Sequence, residues 1–205
     1  IVSKYRTGRI IRHKMRAVEY WSKAGSFADS LACNGWVKLP TLSGFNLHRV
    51  SKDISTQMAG STFTELCSAH KSFLDQLQIN KFLTPILYET ARERFRYKGK
   101  ITNQYHIARR VEPGNVQEMY RAHFDSHLFT LVLPINIPSA PTGGTNGNLI
   151  FFPNARKPPE SEINNFIDKM KYKRFASHAG VERFGESNMR LENDFADYSP
   201  LLFVG

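Results

Sequence analysis

The character of the sequence changes near Gly99, and this change constrains the fold more than any other feature. Before it, apolar residues recur at helical spacing, as Phe73 and Leu77 do. After it, short apolar runs alternate with proline and glycine, a pattern typical of a β domain. A chain of 205 residues with 41% hydrophobic residues is long enough to bury a sizeable core. The sequence therefore predicts one globular domain, with a mainly helical support over residues 1–98 and a β core over residues 99–205.

Individual elements can be placed within this outline from periodicity and from turn residues. Helices are predicted at about Met15–Leu31, Ser61–Leu77 and Lys81–Arg96, and as an insert in the β core at Ser161–Arg174. Strands are predicted at Trp36–Leu39, Ile101–Val111, Ala122–Ile137, Asn148–Phe152 and Ser199–Val204. The pair Asn34-Gly35 is suited to ending the first helix. The insert carries one apolar stripe, made of Ile163, Phe166, Ile167 and Met170.

Charge and cysteine content narrow the class of protein. Lys and Arg number 28 against 18 Asp and Glu, a net charge of +10 that would suit nucleic acid or an acidic small molecule. No basic run carries a recognisable nucleic-acid motif, so we favour a solvated basic face over a nucleic-acid partner. No apolar run reaches the roughly 20 residues of a membrane span. The 2 cysteines lack the spacing of a metal site, and we therefore expect a soluble protein of a reducing compartment, the cytoplasm.

The segment His123-Phe124-Asp125 carries the most chemical information. On an extended strand, residues 123 and 125 point to the same face, so an imidazole and a carboxylate converge on one point. This pair suits ferrous iron held by two histidines and one carboxylate, which leaves coordination positions open for a chelating cosubstrate and dioxygen. Because His-x-Asp also occurs as an ordinary surface pair, the flanking sequence decides between the two interpretations.

Four segments around this pair resemble the phytanoyl-CoA hydroxylase-like family of 2-oxoglutarate oxygenases, and together they span most of the chain. They are Asn34–Leu39 after an early helix, His123–Asp125 followed by an apolar strand ending at Pro134, Asn146–Lys157, and Asp197–Gly205. In the third segment, Asn154-Ala155-Arg156 stands where the family has Gly-Ser-His. Those family residues shape a turn beside the site, so this departure concerns the substrate pocket more than the metal.

The resemblance implies a mainly β fold with flanking N-terminal helices, a double-stranded β-helix of the jelly-roll-like, cupin-type form. It also implies a non-haem Fe(II)- and 2-oxoglutarate-dependent dioxygenase that hydroxylates or desaturates a small organic substrate and releases succinate and CO2. His123 and Asp125 would be its catalytic metal ligands. A distal histidine is expected just after Gly205, where the chain looks truncated, followed by an arginine for the far carboxylate of 2-oxoglutarate. His178 is the fallback for the third ligand.

Further contacts to cosubstrate and substrate are predicted near the pair. Gln104 and Arg110 share one face of a predicted strand that the resemblance places next to the iron, so both are candidates for binding 2-oxoglutarate or substrate. Thr130 is a candidate to donate a hydrogen bond from its hydroxyl to a 2-oxoglutarate carboxylate. On a regular strand, however, its side chain points to the face opposite that of His123. His127 has the same parity as the pair, and we expect it to contact the substrate.

Two other functions are compatible with the sequence. One is a non-catalytic basic β-barrel module that binds nucleic acid or another polyanion through its positive charge. The other is a cupin-like metalloenzyme that uses no 2-oxoglutarate, which a missing arginine after the distal histidine would favour. The sequence does not identify the substrate, although the basic charge allows an acidic small molecule, and it does not predict the oligomeric state.

Overall fold

The structure is a computed structural model that describes residues 17–24, 27–66, 72–100, 104–112, 123–125, 127–138, 147–172 and 177–205. Parts of the predicted elements, such as the first residues of the strand predicted from Ile101 and most of the turn after Glu112, lie outside these residues. Within the described part of the chain, none of the helices has both the length and the apolar character needed to cross a bilayer.

Helices occupy most of the first half of the described chain. They are residues 17–24 (α1), Phe27–Asn34 (α2), Leu47–Met58 (α3), Ser72–Leu77 (α4) and Ile79–Glu89 (α5), and two later helices are Glu162–Tyr172 (α6) and His178–Gly185 (α7). A π-helical turn, Thr90–Arg94, continues α5. Helix α2 is followed by Gly35, whose φ of +76° suits glycine and whose amide donates to the carbonyl of Leu31 at 3.0 Å. The helix stop predicted at Asn34-Gly35 is therefore confirmed.

The strands are short and pair in three antiparallel sheets. They are Trp36–Lys38 (β1), Phe63–Glu65 (β2), Ile107–Arg109 (β3), Phe129–Val132 (β4), Leu149–Phe151 (β5), Leu191–Asn193 (β6) and Leu201–Val204 (β7). The largest sheet has the order β1-β7-β4, while β2 pairs with β3 and β5 with β6. These ladders do not close into a barrel within the residues that the structure describes, so the double-stranded β-helix stays a prediction.

The main apolar core lies between the central strand β7 and the N-terminal helices. Leu202, in the middle of β7, is fully buried and belongs to one cluster with Phe27 and Leu31 of α2 and with Leu83 of α5. Leu202 also pairs with Leu131 of β4 in the sheet. Because β4 is held to β7 residue by residue, the packing of β7 on the helices fixes the chain from Phe129 to Val132, shortly after Asp125.

Several predicted elements are present, and the differences lie both between residues 41 and 77 and after residue 122. Residues 123–125 lie outside the strand predicted at Ala122–Ile137, and helix α7 and strand β6 were not predicted. The insert is present as α6, and the helix predicted at Lys81–Arg96 is present as α5 and its π-helical turn. The helix predicted at Ser61–Leu77 is wrong in its first part, because Phe63–Glu65 pairs with β3 as strand β2. Helix α3 was not predicted, although Leu47, Val50, Ile54 and Met58 recur along it at spacings of three and four. Its cap was readable, because the side chain of Asn46 accepts from the amide of Arg49.

Candidate metal site

His123 and Asp125 meet as the sequence predicts. The Nε2 atom of His123 lies 3.1 Å from Oδ1 of Asp125, and their side chains are 48% and 21% exposed. Both residues lie in the chain before β4 and outside any regular strand. The convergence of imidazole and carboxylate is thus present without the strand ladder from which it was predicted.

Thr130 contacts the second oxygen of the same carboxylate. Its hydroxyl donates to Oδ2 of Asp125, so the Asp125 carboxylate accepts from a different neighbour at each oxygen. Burial by itself raises the pKa of Asp125, but the hydrogen bonds from His123 and Thr130 and the positive charges of His123 and His127 outweigh it, and the pKa is lowered overall. Asp125 is therefore held as a carboxylate, the form that binds metal.

Gly205 lies directly against the pair. Its amide donates to the carbonyl of Leu128 at 3.1 Å, which extends the pairing of β7 with β4 by one residue. A Cβ atom at position 205 would lie 2.8 Å from Cβ of Asp125 and 2.2 Å from the carbonyl oxygen of His127. Only glycine allows the backbone to approach this closely, so the end of β7 is packed on the residue that carries the carboxylate.

The turn Pro153–Arg156 is anchored to the end of α2. Asn154 has a left-handed backbone, with φ of +56°, and its Nδ2 donates to the carbonyl of Asn34 at 3.1 Å. A Cβ atom on Gly35 would lie 2.6 Å from Oδ1 of Asn154. The segments Asn34–Leu39 and Asn146–Lys157, which both entered the family resemblance, are therefore in direct contact.

Arg156, the last residue of that turn, contacts residues that surround the His123–Asp125 pair. Its Nη2 donates to the carbonyl of Gly205 at 2.6 Å and to Oδ1 of Asn165 at 2.7 Å, and its Nη1 lies 3.5 Å from Oδ2 of Asp168. The guanidinium also lies over the ring of Phe124, 4.3 Å from its centroid. Burial lowers the pKa of Arg156, and the negative charges of Asp168 and Asp125 partly restore it.

The remaining predicted site residues make contacts away from the pair or at its edge. Gln104 donates to the hydroxyl of Thr84 at 3.3 Å, and Arg110 pairs with Glu112 at 2.5 Å. His127 is exposed, and its ring stacks on Tyr105 with centroids 4.7 Å apart. Their roles in binding cosubstrate or substrate stay predictions.

His178 is the first residue of helix α7, which was not predicted from the sequence. Ser177 caps α7 by accepting from the amide of Gly180 at 3.1 Å. A serine followed by a short amphipathic run is the sequence signal for this helix. The side chain of His178 lies outside what the structure describes, so its fallback role as third ligand stays a prediction.

The two predicted ligands lie close enough to share a metal ion. Two atoms that each lie about 2.1 Å from one ion, at right angles, are about 3.0 Å apart. The separation of 3.1 Å between Nε2 of His123 and Oδ1 of Asp125 is compatible with this value, and it is also the length of the hydrogen bond between the two side chains. An imidazole nitrogen and a carboxylate oxygen are also the donor types that ferrous iron takes in a facial two-His, one-carboxylate site.

Sequence reasoning missed two residues that touch this region. Tyr105 lies between Gln104 and His106 in the chain, and its ring stacks on that of His127. Ala108 of the same segment is buried with Met58 and Leu66. Arg156 was noted only as a departure from the family turn. Its signal in the sequence is a basic pair, Arg156 and Lys157, in a turn between Pro153 and Pro158.

A cleft of about 720 Å³ opens elsewhere, between the start of α3 and the turn before β7. Thr41, His48, Lys52, Asn136 and Tyr198 are among the residues that line it, and His123 and Asp125 are not. Comparison of the chain with protein-family models, with curated proteins and with solved structures finds no match. The resemblance to the oxygenases stays a prediction, and a function is inferred from the motifs and the geometry of the site.

Proposed function

We propose that the protein is a non-haem Fe(II)- and 2-oxoglutarate-dependent dioxygenase that hydroxylates or desaturates a small organic substrate. The observation that carries the proposal is the separation of 3.1 Å between Nε2 of His123 and Oδ1 of Asp125, with the carboxylate kept ionised by its neighbours. Bound iron would supply the positions at which 2-oxoglutarate and dioxygen meet, with succinate and CO2 as products.

The chain's own residues would prepare the carboxylate for this task. Thr130 engages Oδ2 of Asp125, which leaves Oδ1 facing the imidazole and available to share a metal with it. A hydrogen bond to a ligating carboxylate fixes its orientation, and loss of such a bond commonly lowers metal affinity. We therefore infer that Thr130 orients Asp125, in addition to the contact with 2-oxoglutarate predicted from the sequence.

The family resemblance expects the third ligand directly after the segment Asp197–Gly205. Gly205 is packed on Asp125 and His127, so the end of this segment lies beside the pair. This position agrees with the distal histidine that the family resemblance expects there. The close approach at Gly205 thus supports the order of ligands implied by the resemblance.

The substrate and the compartment are inferred from charge and thiol content. A net charge of +10 favours an acidic small molecule as substrate. Cys33 of α2 is an exposed free thiol, which suits a reducing compartment such as the cytoplasm. His127 and Tyr105 present two exposed stacked rings at the edge of the pair, where a substrate would be held.

The proposal is tested by measuring Fe(II)-dependent conversion of 2-oxoglutarate to succinate together with binding of Co(II), an oxygen-stable substitute for Fe(II). His123→Ala and Asp125→Ala are expected to abolish turnover and to weaken Co(II) binding at least about 10-fold, because each removes one of three ligands. His48→Ala and Asp53→Ala are matched controls, since they remove the same residue types from α3.

Unchanged Co(II) binding in both site variants would overturn the proposal. Salt-sensitive binding of a polyanion that ignores the same substitutions would favour the basic binding module instead. Metal binding that depends on His123 and Asp125, without any turnover of 2-oxoglutarate, would favour the cupin-like metalloenzyme.

A further inference from the structure

The guanidinium of Arg156 is unusually deep for a charged group, with 6% of its side chain exposed. Removing a charge from water costs far more than burying an apolar side chain of similar size, unless partners replace the lost hydration. Asp168 is the nearest carboxylate and lies 3.5 Å from Nη1, which is longer than a strong charge-assisted hydrogen bond. Stability alone therefore does not explain why a charge lies here.

The hydration that the guanidinium of Arg156 loses on burial is also only partly replaced at its other two nitrogens, Nη2 and Nε. Nη2 has two acceptors, the carbonyl of Gly205 and Oδ1 of Asn165. Nε is buried and has no acceptor among the residues that the structure describes. Apolar side chains of similar volume commonly replace a buried ion pair without loss of stability. A buried arginine with an unused donor is thus better explained by what its contacts position.

These contacts converge on the residues of the metal pair. The carbonyl that Arg156 binds belongs to Gly205, whose Cα lies against Cβ of Asp125 and the carbonyl of His127. The ring that lies under the guanidinium belongs to Phe124, between His123 and Asp125 in the chain. Arg156 therefore contacts the residue between the two ligands and the residue packed on Asp125, and these contacts involve neither ligand atom.

We propose that Arg156 is a positioning residue, which keeps the carboxylate of Asp125 against the imidazole of His123 by holding the Gly205 carbonyl and the Phe124 ring. This inference rests on the proposed function, because positioning matters only if the pair binds metal. The planar guanidinium suits the task, since one Nη2 atom serves Gly205 and Asn165 while the flat face covers Phe124.

The test compares Co(II) affinity, the visible spectrum of the Co(II) protein and unfolding by urea in three variants. Arg156→Met keeps the length and fills the space without charge, and we expect Co(II) binding weakened about 10- to 100-fold together with a lower free energy of unfolding, because Asp168 and Asn165 lose their partner. Arg156→Lys keeps the charge and can reach only one of the two acceptors, so an intermediate affinity is expected. Arg190→Met removes a comparable arginine, which pairs with Glu182 at 2.9 Å, and should leave Co(II) binding unchanged.

The outcomes separate the two proposals. If the parent protein binds Co(II) through His123 and Asp125, but Arg156→Met binds it equally well with the same spectrum, the positioning role is overturned and the metal site stands. If the parent binds no Co(II), both are overturned. Should Arg156→Met fail to fold, Arg156→Lys decides: parent-like affinity and spectrum contradict the role, and weakened binding in a stable protein supports it.

Discussion

Replacing Thr130 with valine removes one hydroxyl from the candidate site and changes little else. The side chains are nearly the same size, and the hydroxyl of Thr130 donates to Oδ2 of Asp125. A hydrogen bond to a charged group contributes about 1.5–3 kcal/mol to stability. Because 21% of the Asp125 side chain is exposed, water replaces part of the lost bond, and we expect Thr130→Val to reduce the free energy of unfolding by about 1.5 kcal/mol at neutral pH.

The loss of stability should also depend on pH, with a defined sign. The pKa of Asp125 is lowered from its ordinary value of 3.8, since the hydrogen bonds and positive charges around it outweigh the effect of burial. A carboxyl group with a lowered folded pKa contributes stability that is present above 3.8 and is lost as the pH falls through the folded pKa. Thr130→Val moves the folded pKa upward, so the difference between parent and variant should be full at neutral pH and should shrink as the pH falls below 3.8.

Urea unfolding at a series of pH values measures this difference directly. Thr64→Val, the same substitution in strand β2 of another sheet, is the matched control and should show no comparable pH dependence. A Thr130→Val variant that is as stable as the parent at neutral pH, or a difference that is the same at neutral and acid pH, would refute the account of how the carboxylate is held.

Two further substitutions test the parts of the fold that position the site. Gly35→Ala should lower the free energy of unfolding by about 1–3 kcal/mol, because φ is +76° and the new Cβ would lie 2.6 Å from Oδ1 of Asn154. Gly60→Ala, at φ +88° in open space, is the control for backbone strain alone. It should lower the free energy of unfolding by less in the same urea experiment. Leu202→Ala, at a fully buried site in the central strand, should cost about 2–5 kcal/mol by thermal or urea unfolding, and a loss below 1 kcal/mol would show that β7 is not the centre of the core.

The elements with strong local signals were predictable from the sequence. The end of α2 at Asn34-Gly35, the insert α6 and the short strand β7 each follow from glycine chemistry, apolar periodicity or an unbroken apolar run. The meeting of His123 with Asp125 was also predicted, although residues 123–125 lie outside any strand, so strand alternation does not account for it. Local rules were sufficient wherever neighbours in the sequence determine the geometry.

Two of the features that the sequence did not predict depend on contacts between distant segments. Phe63–Glu65 forms a strand because it pairs with β3, more than 40 residues later, which outweighs the helical spacing of its apolar residues. The side chain of Thr130 reaches Asp125 despite its opposite parity, because the chain before β4 is not a regular strand. Side chains alternate between two faces only within a continuous strand, so this alternation was a poor guide to the contact between Thr130 and Asp125.

The turn that departs from the family pattern shows most clearly what the site requires. In place of the expected Gly-Ser-His, Asn154 binds the end of α2 through the carbonyl of Asn34, and Arg156 binds the end of β7 through the carbonyl of Gly205. Both side chains act on backbone carbonyls, so they fix where the two segments lie. A turn of different composition can thus hold the strand end against Asp125, provided that its polar side chains reach the same carbonyls. On this reasoning the His123–Asp125 pair depends on the polar groups of Asn154 and Arg156 in place of the family's Gly-Ser-His.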